Sequence, residues 1–150
     1  MTVGRVLLLA LGVALFLLGS LVLALWLTGE NRERAVVTRV LRAQAAGDGA
    51  AMTSLLEGCR RDGGCRAATR RLARMLRRPG EVRIVGYDSA TAHALLAERG
   101  PTRVAWMTGA GSPPVVQCLD VERLGLPLLG GRVVAHRIGP RIAGTASCPR

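Results

Sequence analysis

Hydrophobic positions along this chain change rhythm twice, and each rhythm predicts a different kind of element. Residues 6–27 (VLLLALGVALFLLGSLVLALWL) are apolar almost throughout and carry no charge. About 20 helical residues cross the hydrocarbon core of a bilayer, so this run predicts one membrane-spanning helix. From residue 31 to residue 78 the apolar positions recur every three or four residues, the period of a helix that buries one face. Beyond residue 81 they form short alternating runs broken by turn residues, which is how strands read.

The helical stretch divides into three. Residues 28–31 read as a juxtamembrane hinge. A helix over 31–46 then puts Val36, Val37, Val40, Leu41 and Ala43 on one arc, with Gln44 falling on the same arc. Gly47-Asp48 breaks it, and Asp48 is placed to cap a short second helix that turns Met52, Leu55 and Leu56 inward. A Gly- and Arg-rich loop follows, bounded by Cys59 and Cys65. The third helix runs to Arg78, where Pro79-Gly80 ends it. Its apolar stripe is Cys65, Ala68, Leu72, Met75 and Leu76, while Arg66, Arg70, Arg74, Arg77 and Arg78 line another face.

Five strands are predicted, over 82–88, 91–98, 102–108, 115–122 and 132–138. In the first, Val82, Ile84 and Gly86 oppose Arg83, Val85 and Tyr87; in the fourth, Val115, Gln117, Leu119 and Val121 oppose Val116, Cys118, Asp120 and Glu122. Turns fall at 89–90, 100–101, 109–114 and 125–131, and connections this short join antiparallel neighbours. The fold class is therefore α+β: an N-terminal transmembrane helix, then about three helices packed on a curved antiparallel meander. The boundaries are a tail at 1–5, the membrane helix at 6–27, a juxtamembrane linker and helix start at 28–34, and one domain at 35–148.

Charge sharpens this picture. All 21 cations are Arg, and twenty of them follow the apolar run together with all ten acids, a balance of +10. The absence of Lys matches the Ala-, Gly- and Val-rich usage of a GC-rich genome, but the net charge acts physically whatever its origin. The arginines of the third helix are the best functional candidates, as a stripe for anionic lipid, an envelope polymer or an acidic partner. Outside the apolar run the only aromatic residues are Tyr87 and Trp106. Two rings are too few for the stacking that single-stranded nucleic acid needs, which counts against a nucleic-acid partner.

The apolar run is longer than a signal-peptide core and ends without a small-x-small cleavage site, so it reads as an uncleaved anchor, with Trp26 at its interface. Arg32, Arg34, Arg39 and Arg42 on its C-terminal flank would, by the positive-inside count, hold the domain in the cytoplasm. The cysteines point the other way. Cys59, Cys65, Cys118 and Cys148 are even in number, lie outside the membrane run, and have neither Cys-x-x-Cys nor zinc-finger spacing. They favour an extracytoplasmic domain on the bacterial plasma membrane. Four cysteines allow three pairings; Cys59–Cys65 with Cys118–Cys148 needs the least rearrangement.

Catalytic signals are sparse. His93 and His136 are the only histidines, and a Ser89/His93/Asp88 set or an acid–base pair would need geometry that spacing does not supply. The glycine-rich segment 109–114 joins two strands and does not enter a helix, so it is a hairpin loop and not a phosphate cradle. No metal and no cofactor is expected, and the chain reads as a non-enzyme. If a pocket exists, Tyr87, Trp106 and His136 are its candidate lining.

The opening helix AVVTRVLRAQAAGD, the strand VRIVGYD and the segments TRVAWMT, PPVVQCLDVERL and GGRVVAHRI, in that order on one anchor, resemble the NTF2-like (cystatin-like) superfamily over residues 31–148. The likeness is to its small membrane-anchored members, the Mce-associated membrane proteins and conjugation-channel accessory domains. The resemblance implies a cone with a space between sheet and helices, and an accessory role in a cell-envelope or transport assembly with a protein partner there. It transfers no catalytic residue. A ligand-binding or enzymatic pocket in the cone is the alternative, and a basic nucleic-acid handler near a conjugation channel is the second.

Overall fold

The computed structural model describes residues 3–91, 97–125 and 131–149, the side chains of 25–29 excepted. It is an α+β structure in which helices cover one face of a four-stranded antiparallel sheet. Helix α1 (Val3–Ala46) runs unbroken from the apolar segment into the domain. Its first part, Val3–Ala24, is long and apolar enough to cross a membrane and is not covered by the rest of the chain. The hinge expected at 28–31 is helical instead. Thr, Glu and Asn are tolerable in a helix interior, and packing of the next two turns holds the backbone in phase. The Trp26 side chain lies outside the described residues.

Gly47 ends α1 with φ +78°, a value only glycine adopts cheaply, and the Asp48 amide folds back onto the Ala43 carbonyl. Helix α2 (Gly49–Leu55) starts as expected, with Asp48 accepting hydrogen bonds from the amides of Ala50 and Ala51 at 3.1 and 2.8 Å. A single 3-10 turn (Glu57–Cys59) leads to α3 (Gly63–Met75), capped by Asp62. The helix stops three residues short of the expected Arg78. The Arg78 amide donates to the Ala45 carbonyl of α1, so Arg77 and Arg78 belong to the connection that follows.

The sheet order is β1 (Val82–Ser89), β2 (Glu98–Thr108), β3 (Val115–Leu124), β4 (Arg132–Ile142). Among the described residues this is a meander of four of the expected strands. Of the predicted strand over 91–98, residues 92–96 lie outside the described residues, and Glu98 opens β2. The turn expected at 100–101 is absent, because Gly100 and Pro101 pair within β2 against Val121 and Asp120. Proline is tolerated there because β1 makes its last pair, Ser89 with Thr102, one residue away. Most of the turn expected over 125–131 lies outside the described residues.

Val37, Val40 and Leu41 of α1, Met52 and Leu56 after it, and Trp106, Leu119 and Val121 of the sheet form one buried core. A fully buried aliphatic side chain such as Leu41 contributes about 1.5–3 kcal/mol. Of the two alternating sets read over 115–122, now β3, Val115, Gln117, Leu119 and Val121 are all buried, and Val116 of the opposing set is buried with them. The set predicted for β1 is only half correct. The pairing register shifts between Ile84 and Gly86, opposite Trp106 and Ala105. That bulge leaves Val85 exposed and brings Tyr87 opposite the buried Val104, on the core face.

The two disulfides are Cys59–Cys65 and Cys118–Cys148. The first ties the 3-10 turn to α3. The second ties the C-terminal tail to β3, and Arg103 adds hydrogen bonds to the carbonyls of Gly144 and Ala146.

Candidate functional site

The arginines around α3 fall into two groups. Arg66 and Arg78 are half-buried and committed to the protein: Arg66 Nη1 donates to the Arg60 carbonyl, and Arg78 Nη1 to the Pro113 carbonyl, both at 2.7 Å. These two leave the expected anion-binding stripe. Arg70, Arg74 and Arg77 stay exposed, joined by Arg71. The stripe therefore moves round the helix, because its buried face is Cys65, Thr69, Leu72, Ala73 and Leu76; Ala68 and Met75, both expected inside, are exposed. Met75 stands 69% exposed one residue after Arg74.

Two glycines seat this face. A Cβ on Gly47 would come within 2.9 Å of Arg77 Cδ, and one on Gly49 within 3.0 Å of Arg70 Cα. The α1–α2 turn thus receives the stems of Arg70 and Arg77 directly against its backbone.

The acids are placed elsewhere. Among the described residues seven of the ten are in ion pairs: Glu30–Arg34, Glu33–Arg123, Glu57–Arg132, Asp62–Arg137, Glu81–Arg83, Asp120–Arg99 and Glu122–His136. Among the described residues none of these pairs includes Arg70, Arg71, Arg74 or Arg77. Three of these guanidinium groups stand on α3 and the fourth, Arg77, just after it; charges this close in the chain repel one another, and an anion from outside would relieve that repulsion.

A second constellation escapes a reading of sequence spacing. The Glu33 carboxylate is wholly buried at the root of the domain. Oε1 accepts from Tyr87 Oη at 2.8 Å and Thr102 Oγ1 at 2.6 Å; Oε2 accepts from Thr91 Oγ1 at 2.8 Å and Arg123 Nη2 at 3.2 Å. Burial pushes its pKa up, but the hydroxyls of Thr102, Ser89, Tyr87 and Thr91 together outweigh burial and hold it below the usual carboxylate range. The Tyr87 phenol moves the other way, far above its ordinary value, first by burial and then by the Glu33 charge. A carboxylate with both oxygens occupied and no solvent access fastens α1 to β1, β2 and β3; it does not move protons. One signal does betray it. Glu33 stands four, seven and eight residues before Val37, Val40 and Leu41, on the buried stripe.

The three candidate pocket residues do not converge. Trp106 is fully buried, its Nε1 donating to Gln117 Oε1 at 2.9 Å. Tyr87 is bound to Glu33. His136 Nε2 lies 2.5 Å from Glu122 Oε2, on neighbouring strands away from both. Between helix and sheet, Gln44 Nε2 donates to the same Gln117 oxygen at 3.1 Å, leaving Gln44 Oε1 buried without a partner among the described residues. An unmet acceptor of this kind costs about 1–3 kcal/mol. Clefts of 450 and 540 Å³ flank the C-terminal tail, lined by Asp88, Arg103 and Ser147 and by Leu119, Arg137 and Ile138 respectively.

His93 lies outside the described residues, so the Ser89/His93/Asp88 set does too. Among the described residues, no three His, Cys, Asp or Glu side chains group to hold a metal. No family model matches this chain, and neither a curated protein nor a solved structure matches it.

Proposed function

We propose that this protein is a single-pass, extracytoplasmic interaction domain without catalytic activity, built on an NTF2-like cone. In this reading it serves as an accessory component of a cell-envelope or transport assembly. The apolar helix anchors it, and the arginine face of α3 docks an anionic partner. The observation that carries this reading is a cluster of exposed charge: Arg70, Arg71 and Arg74 on α3 and Arg77 just after it stand close together in the chain, and no ion pair among the described residues includes them. Two disulfides support the extracytoplasmic placement, since such bonds persist in oxidising compartments.

The test replaces Arg70, Arg71 and Arg74 together by Ala in the full chain. These side chains are exposed, so the fold should persist while salt-sensitive co-purification of envelope proteins is lost. Unchanged co-purification and unchanged placement in the membrane would sink the docking reading.

A further inference from the structure

The height of the arginine face above the membrane bears on what it binds. Because α1 is unbroken, its length is a ruler, at about 1.5 Å per residue. The apolar run ends at Leu27 and the α3 arginines attach beside Ala45, through the Arg78 amide on Ala45 and the contacts of Arg77 and Arg70 at Gly47 and Gly49. That interval is about 27 Å of helix. A headgroup layer takes about 7 Å of it, leaving about 20 Å, or about 18 Å at a tilt of about 20°. With a Debye length of about 8 Å in physiological salt, the face stands more than two screening lengths clear of its own bilayer.

Nearer the membrane, Arg34 and Arg123 pair with Glu30 and Glu33, while Arg32, Arg39 and Arg42 are exposed along α1. The far face also carries Met75, four residues after Arg71 and beside Arg74, so that a mobile apolar side chain stands among guanidinium groups. Phosphate polymers offer a thioether nothing to pack against. The cores of protein interfaces are enriched in Met and Arg together.

Resting on the docking reading above, we infer that Arg70, Arg71, Arg74, Met75 and Arg77 receive an acidic protein surface with an apolar residue at its centre, held clear of the host membrane. The lipid headgroups are not the ligand. Charge provides approach and register, and the Met75 contact provides the selectivity of a protein over a bare polyanion.

Full-length protein in phosphatidylcholine nanodiscs would be titrated with two fluorescent probes of matched charge: a helical peptide whose glutamates flank a leucine stripe, and polyphosphate. Replacing Arg71, Arg74 and Arg77 by Ala should weaken the peptide about tenfold. Met75→Ser should weaken the peptide about threefold and leave polyphosphate unchanged. A genetically encoded coumarin at position 74 should escape quenching by spin-labelled headgroups in discs containing phosphatidylglycerol. Equal binding of both probes with no effect of Met75→Ser would overturn the protein partner in favour of a polyanion. Quenching of the coumarin would overturn it in favour of lipid. If the Arg variant bound both probes as the parent does, the docking face itself would fall, and the proposed function with it.

Discussion

A carboxylate stripped of water survives as an anion only if the protein replaces its hydration, and at Glu33 three hydroxyls and a guanidinium group do so. Removing it by Glu33→Ala leaves Arg123 buried without its counter-ion and should cost about 3–5 kcal/mol, read from urea unfolding of the full chain in detergent. The pH dependence has a definite sign. The folded pKa lies below the ordinary glutamate value, so the stabilisation is present above that value and is lost as pH falls through the folded one. Unfolding midpoints should therefore drop on acidification below about pH 4, with a shallower slope in Glu33→Gln. In sequence, Glu33 hides in the cluster Asn31-Arg32-Glu33-Arg34, whose charges read as the solvated flank of a membrane run. Its helical phase with Val37 and Leu41 is the legible clue, outweighed by the usual rule that buried residues are apolar. Tyr87 is missed for a different reason: a bulge adds one residue to the strand period, and alternation counted from Val82 arrives at the wrong face.

Elements were more legible than residues. The Asp48 cap, the short second helix, the alternation in β3 and the disulfide partners all follow from local rules that tertiary packing does not override. The ends of elements depend on long-range contacts and were less so. Pro79 marks a limit for α3, but the hydrogen bond from Arg78 to Ala45 ends it earlier. The stripe arginines divide for the same reason, since only the assembled fold decides that Arg66 and Arg78 meet carbonyls. The two bridges differ in reach, with sequence separations of 6 and 30. On chain entropy, replacing Cys118 and Cys148 by Ser should cost about 3.5 kcal/mol, against about 2.5 kcal/mol for Cys59 and Cys65. Limited proteolysis should separate them further: only the first variant should be cut within residues 143–149, because it frees the tail from β3.

For the molecule as a whole, the flanking arginines and the cysteines make opposite statements about which side of the membrane the domain occupies. Whole cells treated with a membrane-impermeant maleimide decide between them. Labelling that appears only after reduction is the outcome expected for an outward domain with both bridges formed; labelling only after lysis, without reductant, would reverse the topology. Docking through the exposed Arg70, Arg71, Arg74 and Arg77 also predicts that partner binding weakens as ionic strength rises, since exposed arginines interact over about a Debye length. One consequence of the unbroken α1 concerns angle. Because Glu33 clamps the helix to three strands, the domain has no swivel, and the compass bearing of the arginine face is fixed by the rotation of the membrane helix beneath it. Two alanines inserted after Leu27 would turn that bearing by about 200° while raising the domain only about 3 Å; seven would bring it back to within about 20°. If the protein works inside a fixed assembly, its partner should be lost with two added residues and regained with seven, so that the membrane helix aims the domain as well as holding it.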